Sequence, residues 1–157
     1  MKTEFSEKTV LVTGGTRGIG AAIVKQFYDL NANVLITGTD RKLLKKLNDS
    51  SRSRLKYLYL DFTSTKSIKG FIINLNKYNK IDVLVNNAGV NKIDSIENII
   101  EEDWEKINNV NLKGPFQITK TVAKIMKKNQ EGRIINISSV FGVVSKAMRA
   151  SYSTTKW

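Results

Sequence analysis

The feature that most restricts the fold is a repeated alternation of short apolar runs with longer amphipathic segments. Val10-Leu11-Val12-Thr13, Val34-Leu35-Ile36-Thr37, Leu55 to Leu60, Ile81 to Val85 and Ile134-Ile135-Asn136-Ile137 read as five strands. After the first, Ile19, Ile23, Phe27 and Leu30 recur at helical spacing and predict one apolar face against the sheet. Gly38 closes the second strand, and Leu43, Leu44 and Leu47 mark the next helix. Thr63 or Ser64 can cap a third helix, with Ile68, Phe71, Ile72, Leu75 and Tyr78 on its apolar side. Helical sequence runs from about Ile96 to Lys128, with a break near Gly114-Pro115, where the proline is expected either in the first turn of a second helix or as a kink in a continuous one. Strands separated by amphipathic helices pair in parallel through right-handed crossovers, and nearly continuous apolar strands imply a sheet covered on both faces.

Length and composition narrow the chemistry. The 157 residues suit one domain, residues 1–157, and 41% hydrophobic with 25% charged residues is ordinary for a soluble protein. No apolar run approaches a membrane span, and the polar start does not read as a signal peptide, so a cytoplasmic location is expected. There is no cysteine and no histidine. Disulfides, thiolate or histidine metal sites and histidine-based nucleophilic catalysis are therefore excluded, and no metal site is expected. Acid/base work near neutral pH falls to a carboxylate, a tyrosine or a lysine. The net charge of +12 raises nucleic-acid binding as a question, but the lysines are spread along helices as solvated faces, which makes that partner unlikely.

Thr13-Gly14-Gly15-Thr16-Arg17-Gly18-Ile19-Gly20 lies between the first strand and the first helix. Glycines there let backbone approach a pyrophosphate, and the following helix N-terminus favours an anion. A second polar turn, Asn86-Asn87-Ala88-Gly89, ends the fourth strand. Together these turns resemble the short-chain dehydrogenase/reductase family, over essentially the whole chain. The glycine turn and the Ile134 to Gly142 segment most resemble the 3-oxoacyl-acyl-carrier-protein reductases within it. The resemblance implies an α/β, Rossmann-type doubly wound parallel sheet that binds NAD(P). Such a sheet has about six strands, so the five found before Trp157 predict a domain incomplete at its C-terminus.

The resemblance assigns cofactor contacts to Gly14, Thr16, Arg17, Gly18, Ile19 and Gly20, to Asp61 (adenine) with Phe62, and to Asn87, Ala88 and Gly89. Asp40 lies about where an acid would hold the ribose of NAD, yet NAD-dependent relatives carry that acid where this chain has Gly38. Thr39 stands where many NADP-dependent relatives have arginine, while Arg17, with Arg41 assisting, matches a guanidinium aimed at the 2′-phosphate. NADP(H) is favoured, with NAD(H) as the alternative.

Tyr152 and Lys156 sit at i and i+4, on one helix face. A phenol is a poor base near neutral pH, and a neighbouring ammonium favours its phenolate. In the family this pair performs acid/base work on the substrate oxygen and contacts the nicotinamide ribose. The resemblance adds Ser139, thirteen positions before Tyr152, as the serine that hydrogen-bonds the carbonyl, with Ser138 the adjacent alternative. It adds Asn111 as a residue relaying protons through water towards the lysine. The expected function is hydride transfer between NADP(H) and a small carbonyl or alcohol substrate. The competing expectation is a nucleotide-binding protein or inactive fragment without turnover. Homo-oligomers, dimers or tetramers, are expected of the intact protein through helices near Asn111 and Tyr152.

Overall fold

The computed structural model describes residues 4–50 and 53–157. Five strands, β1 (Thr9–Val12), β2 (Asn33–Gly38), β3 (Leu55–Tyr59), β4 (Val83–Asn86) and β5 (Arg133–Asn136), form one parallel sheet in the order β3-β2-β1-β4-β5. The helices are α1 (Gly18–Asp29), α2 (Arg41–Ser50), α3 (Thr65–Leu75), α4 (Glu101–Asn108), α5 (Gly114–Asn129) and α6 (Ala150–Lys156). The order reverses between β1 and β4, so the turns at their C-terminal ends flank the switch point where open α/β sheets bind ligands.

Strand alternation sorts the core into two layers. Leu11, Leu35 and Leu84 face α3 and α5, where they meet Ile68, Phe71, Leu75, Ile118, Val122 and Met126. Val10, Val12, Val34, Ile36, Val83 and Val85 face the other way and pack with Val24 of α1. Burying a side chain of this size contributes roughly 1.5–3 kcal/mol, so both sheet faces hold the fold together.

Three local expectations change. On α1 the buried positions are Gly20 and Val24, with Ile23 and Phe27 packed beside them, while Ile19 and Leu30 are exposed. Ile19 and Leu30 stand at the two ends of the helix, off the face that Gly20, Ile23, Val24 and Phe27 turn to the sheet. On α2 only Leu44 is fully buried, because that helix lies beside β3 at the sheet margin. At Gly114-Pro115 the first-turn alternative holds: proline sits in the first turn of α5, and a π-helical stretch, Asn109–Lys113, joins that helix to α4. β5 has all four residues exposed, including Ile134 and Ile135, because it is an edge strand in this sheet. Ser64 is the α3 cap, accepting from Ser67 N–H. Among the described residues no helix is long and apolar enough to cross a membrane.

Candidate active site

The glycine turn is held open by its neighbours. Asn87 Nδ2 donates to the carbonyls of Thr13 (2.9 Å) and Gly14 (3.1 Å), while Thr13 Oγ1 accepts from Asn87 and Ala88 N–H at 3.1 Å. A Cβ at position 20 would lie 2.5 Å from that same Asn87 nitrogen, so glycine there is a packing requirement. Gly18 has φ +55° with open space around it, a conformation suited to glycine next to a bulky ligand. Asn86, buried, donates to Thr119 Oγ1 and Asn136 Oδ1, tying β4 to α5 and β5.

These features fit a dinucleotide. The N-cap of α1 is Arg17, whose side chain makes no capping bond, and no acidic residue occupies the first turn. The first-turn N–H groups and the helix dipole are left for an anion. Ile19 is 68% exposed beside that turn, an apolar surface that an aromatic or ribosyl ligand would cover. Thr16, Arg17, Thr39 and Arg41 surround the β1 and β2 ends; Arg17, Thr39 and Arg41 are exposed.

Asp40 has another occupation. Its Oδ1 accepts from Leu43 N–H at 3.0 Å and its carbonyl from Leu44 N–H, so it caps α2. A Cβ on Gly38 would lie 2.7 Å from Thr16 Cγ2, so the end of β2 has no room for a carboxylate side chain. The Arg41 guanidinium stacks 3.5 Å above the Tyr59 ring. Asp61 Oδ1 accepts from Thr63 N–H (2.9 Å) and hydroxyl (2.7 Å), a local turn that occupies one carboxylate oxygen. The Phe62 ring is buried in the core beneath Gly114, which leaves only its backbone to touch a cofactor.

At the other side of the switch point, α6 brings Tyr152 and Lys156 to the end of β5. Lys156 Nζ donates to Ile137 carbonyl at 2.9 Å and stands 5.8 Å from the Tyr152 ring centroid. Burial holds this ammonium's pKa below the ordinary lysine value. Ser138 Oγ donates to Lys156 carbonyl at 2.7 Å and so anchors the last turn of α6. Ser139 Oγ accepts from Phe141 N–H at 3.2 Å, which leaves its own proton available. Tyr152 packs edge-to-face on Phe141, with centroids 6.4 Å apart.

Asn111 lies in the π-helical turn, buried, and its amide is fully engaged. Oδ1 accepts from Val90 N–H, and Nδ2 donates to Val90 carbonyl and to Thr155 Oγ1, each at 2.9 Å. Gly89 completes the cluster: a Cβ there would sit 3.5 Å from both Asn111 Oδ1 and Lys156 Nζ. The sequence reading missed Thr13, Asn86, Ser138's anchoring role, Phe141 and Thr155. Each is an ordinary residue whose importance rests on a partner far away in the chain.

Comparison with known proteins shows the family and the fold. A family-wide sequence profile described as "short chain dehydrogenase" matches residues 8–157. The chain is 35% identical over 153 residues to the 3-oxoacyl-[acyl-carrier-protein] reductase of Salmonella typhimurium, covering 97% of this chain and 63% of the relative. The Aquifex aeolicus reductase of the same name is 36% identical over 99% of this chain and 65% of its own length. Among solved structures, a short-chain dehydrogenase from Streptomyces avermitilis superposes with TM-score 0.88 at 30% identity, covering 98% of this chain and 57% of that one. A closed serine dehydrogenase complexed with NADP+ superposes with TM-score 0.85 at 33% identity, covering 94% and 60%. The chain thus spans somewhat under two thirds of the length of most such relatives. With the profile running from the first strand through the Tyr-Lys helix, the chain belongs to the short-chain dehydrogenase family.

Proposed function

We propose that the protein is an NADP(H)-dependent oxidoreductase that interconverts a carbonyl and an alcohol. The observation that carries this reading is the convergence of Lys156, Gly89 and Asn111 beside Tyr152, at the same sheet end as the uncapped glycine turn. A bound nicotinamide dinucleotide would supply the two-electron chemistry. The chain's own groups then manage the proton. Ser139 donates a hydrogen bond from its free hydroxyl to the substrate carbonyl oxygen, keeping its proton, and orients that carbonyl. Tyr152 delivers its phenolic proton to that oxygen in reduction and takes it back in oxidation. Lys156, a cation held by Ile137 carbonyl, stabilises the phenolate form. Asn111, with both amide protons engaged, acts as a positioning residue that locks Val90 and α6 together.

NADP(H) is favoured over NAD(H) on three grounds. Asp40 is occupied as a helix cap, Gly38 leaves no room for an acid, and Arg17 and Arg41 offer guanidinium groups for a 2′-phosphate. The solved relative complexed with NADP+ supports the same choice. The exposed Trp104 of α4, Leu112 of the π-helical stretch and Phe116 of α5, spaced eight and four residues apart, are proposed as the surface on which subunits pair.

The test combines binding and turnover. NADPH and NADH titrations are followed by fluorescence, and NADPH consumption is followed with simple ketones. NADPH should bind more tightly than NADH, Arg17→Ala should weaken NADPH far more than NADH, and Tyr152→Phe should remove turnover while cofactor still binds. Equal losses for both cofactors would refute the NADP(H) choice. Undiminished turnover by Tyr152→Phe would refute the acid/base assignment.

A further inference from the structure

The proposed reaction leaves one cation beside Tyr152 without a task. Arg149 immediately precedes α6, where its carbonyl accepts from Ser153 N–H at 2.8 Å. Its guanidinium lies 5.3 Å from the Phe141 ring centroid, on the ring that also packs against Tyr152. Phe141 in turn donates its N–H to Ser139. Arg149 and Tyr152 thus share the Phe141 ring, and Ser139 meets the backbone of the same residue.

Two further observations bear on what Arg149 does there. Its Nε is closed off from solvent with no hydrogen-bond partner, and no carboxylate among the described residues pairs with the guanidinium. A sequestered donor without an acceptor is unfavourable in a folded protein, and because Arg149 as a whole is only half-buried, its terminal nitrogens are the ones a ligand can meet. The preceding residue, Met148, has φ +65°, in the left-handed region that non-glycine residues seldom occupy and that collects at ligand-binding segments. On its own segment, from Val140 to Trp157, the chain carries Lys146, Arg149 and Lys156 and no Asp or Glu, while the acids Glu101, Glu102, Asp103 and Glu105 belong to α4, which packs against α6.

We infer that Arg149 is a substrate-binding residue that receives an anionic group, a carboxylate or a phosphate ester, carried by the carbonyl compound reduced at Tyr152. The inference rests on the proposed function and names its substrate class. A planar guanidinium fork pairs with either anion through two parallel hydrogen bonds, and the Phe141 face keeps that fork oriented. The anion would fix the substrate by one end while Ser139 and Tyr152 hold the carbonyl at the other. Uncharged ketones would lack that second anchor and bind loosely.

The experiment uses two matched pairs of probes on protein saturated with NADP+: acetoacetate against methyl acetoacetate, and dihydroxyacetone phosphate against dihydroxyacetone. Affinities are measured by calorimetry for the wild type, Arg149→Gln and Arg149→Lys. In at least one pair the anionic member should bind about tenfold or more tightly than its neutral partner. Which pair shows the preference tells carboxylate from phosphate. Arg149→Gln should bring the two members to near parity without changing the neutral one, and Arg149→Lys should keep part of the preference. Raising the salt from low to about 0.5 M should shrink the wild-type preference, a readout that holds even if a variant fails to fold. Parity of both pairs in the wild type overturns the inference, as does an Arg149→Gln loss shared equally by neutral and anionic members. Failure of all four probes to bind cofactor-loaded protein overturns it too. Failure of NADP+ itself to bind would instead overturn the proposed function.

Discussion

Replacing Asn111 with alanine removes three hydrogen bonds at once: two to the backbone of Val90 and one to Thr155 Oγ1. Each is worth about 1 kcal/mol net, and a buried group left without a partner costs about 1–3 kcal/mol. Val90 is only half-buried, so water can re-satisfy part of its backbone, which sets the lower bound. Asn111 and Thr155 are both buried, so the bond between them has no such relief. The expected loss is about 3 kcal/mol, with ~2 and ~4 as bounds. For a chain of this size, that lowers the thermal midpoint by roughly 6–12 °C. Urea unfolding with an unchanged slope is the assay, since a midpoint shift at constant slope reports stability alone. Thr155→Val should lose about 1 kcal/mol by itself, and the double variant should fall short of additivity by about 1 kcal/mol, because the shared bond is counted only once. A loss below ~1 kcal/mol for Asn111→Ala, or full additivity with Thr155→Val, would refute the view that this amide clamps the Gly89-Val90 turn to α6.

Four shorter predictions follow from the same geometry. Gly20→Ala sets a Cβ against Asn87 Nδ2 and the Gly14 carbonyl, so it should abolish tight NADPH binding in a titration, whereas an alanine at open Gly70 should leave it intact. At the opposite end of the sheet, Glu131 pairs with Lys8 (2.7 Å) and Lys80 (3.1 Å), and those hydrogen bonds depress its pKa to about 2. Because the folded value lies below the unfolded one, its stabilisation is complete above the ordinary carboxylate range and is lost as pH falls towards about 2; thermal melts across that window should show a shallower acid limb for Glu131→Gln. Lys156 has its pKa lowered by burial, so its contribution to stability rises with pH between the folded value and that of a free lysine; Lys156→Met should melt no lower than wild type at neutral pH while losing turnover, and a large drop in melting temperature would contradict this. Tyr59→Leu removes the ring beneath the Arg41 guanidinium and should weaken NADPH a few-fold with NADH unchanged, in a paired titration.

Much of the molecule was readable before any coordinates. Apolar periodicity located all five strands and the helices between them, because side-chain direction repeats locally every two or 3.6 residues. The turn from Gly14 to Gly20 was identified by its place between strand and helix. Element ends and faces were less legible. Ile19 and Leu30 continue the apolar spacing of α1 yet stay exposed at its two ends, and spacing carries no record of what a neighbouring layer covers. At Gly114-Pro115 the sequence left two readings open, a first-turn proline or a kink, and the π-helical turn before it decides for the first-turn residue.

The sequence alone therefore determined the class of sheet, the position of the glycine turn and the order Asn111, Ser139, Tyr152, Lys156 along the chain. Only the tertiary structure decided what those groups do for one another. Asn111 became a clamp because Val90 and Thr155, 21 and 44 residues away, arrive at its amide. Ser138 and Ser139 diverged because one hydroxyl proton meets Lys156 carbonyl and the other meets nothing. Asp40 turned from a candidate ribose ligand into a helix cap. The physical reason is the same in each case. A polar side chain has the same donors and acceptors wherever it stands, and its role is set by which partner the folded backbone delivers within about 3 Å.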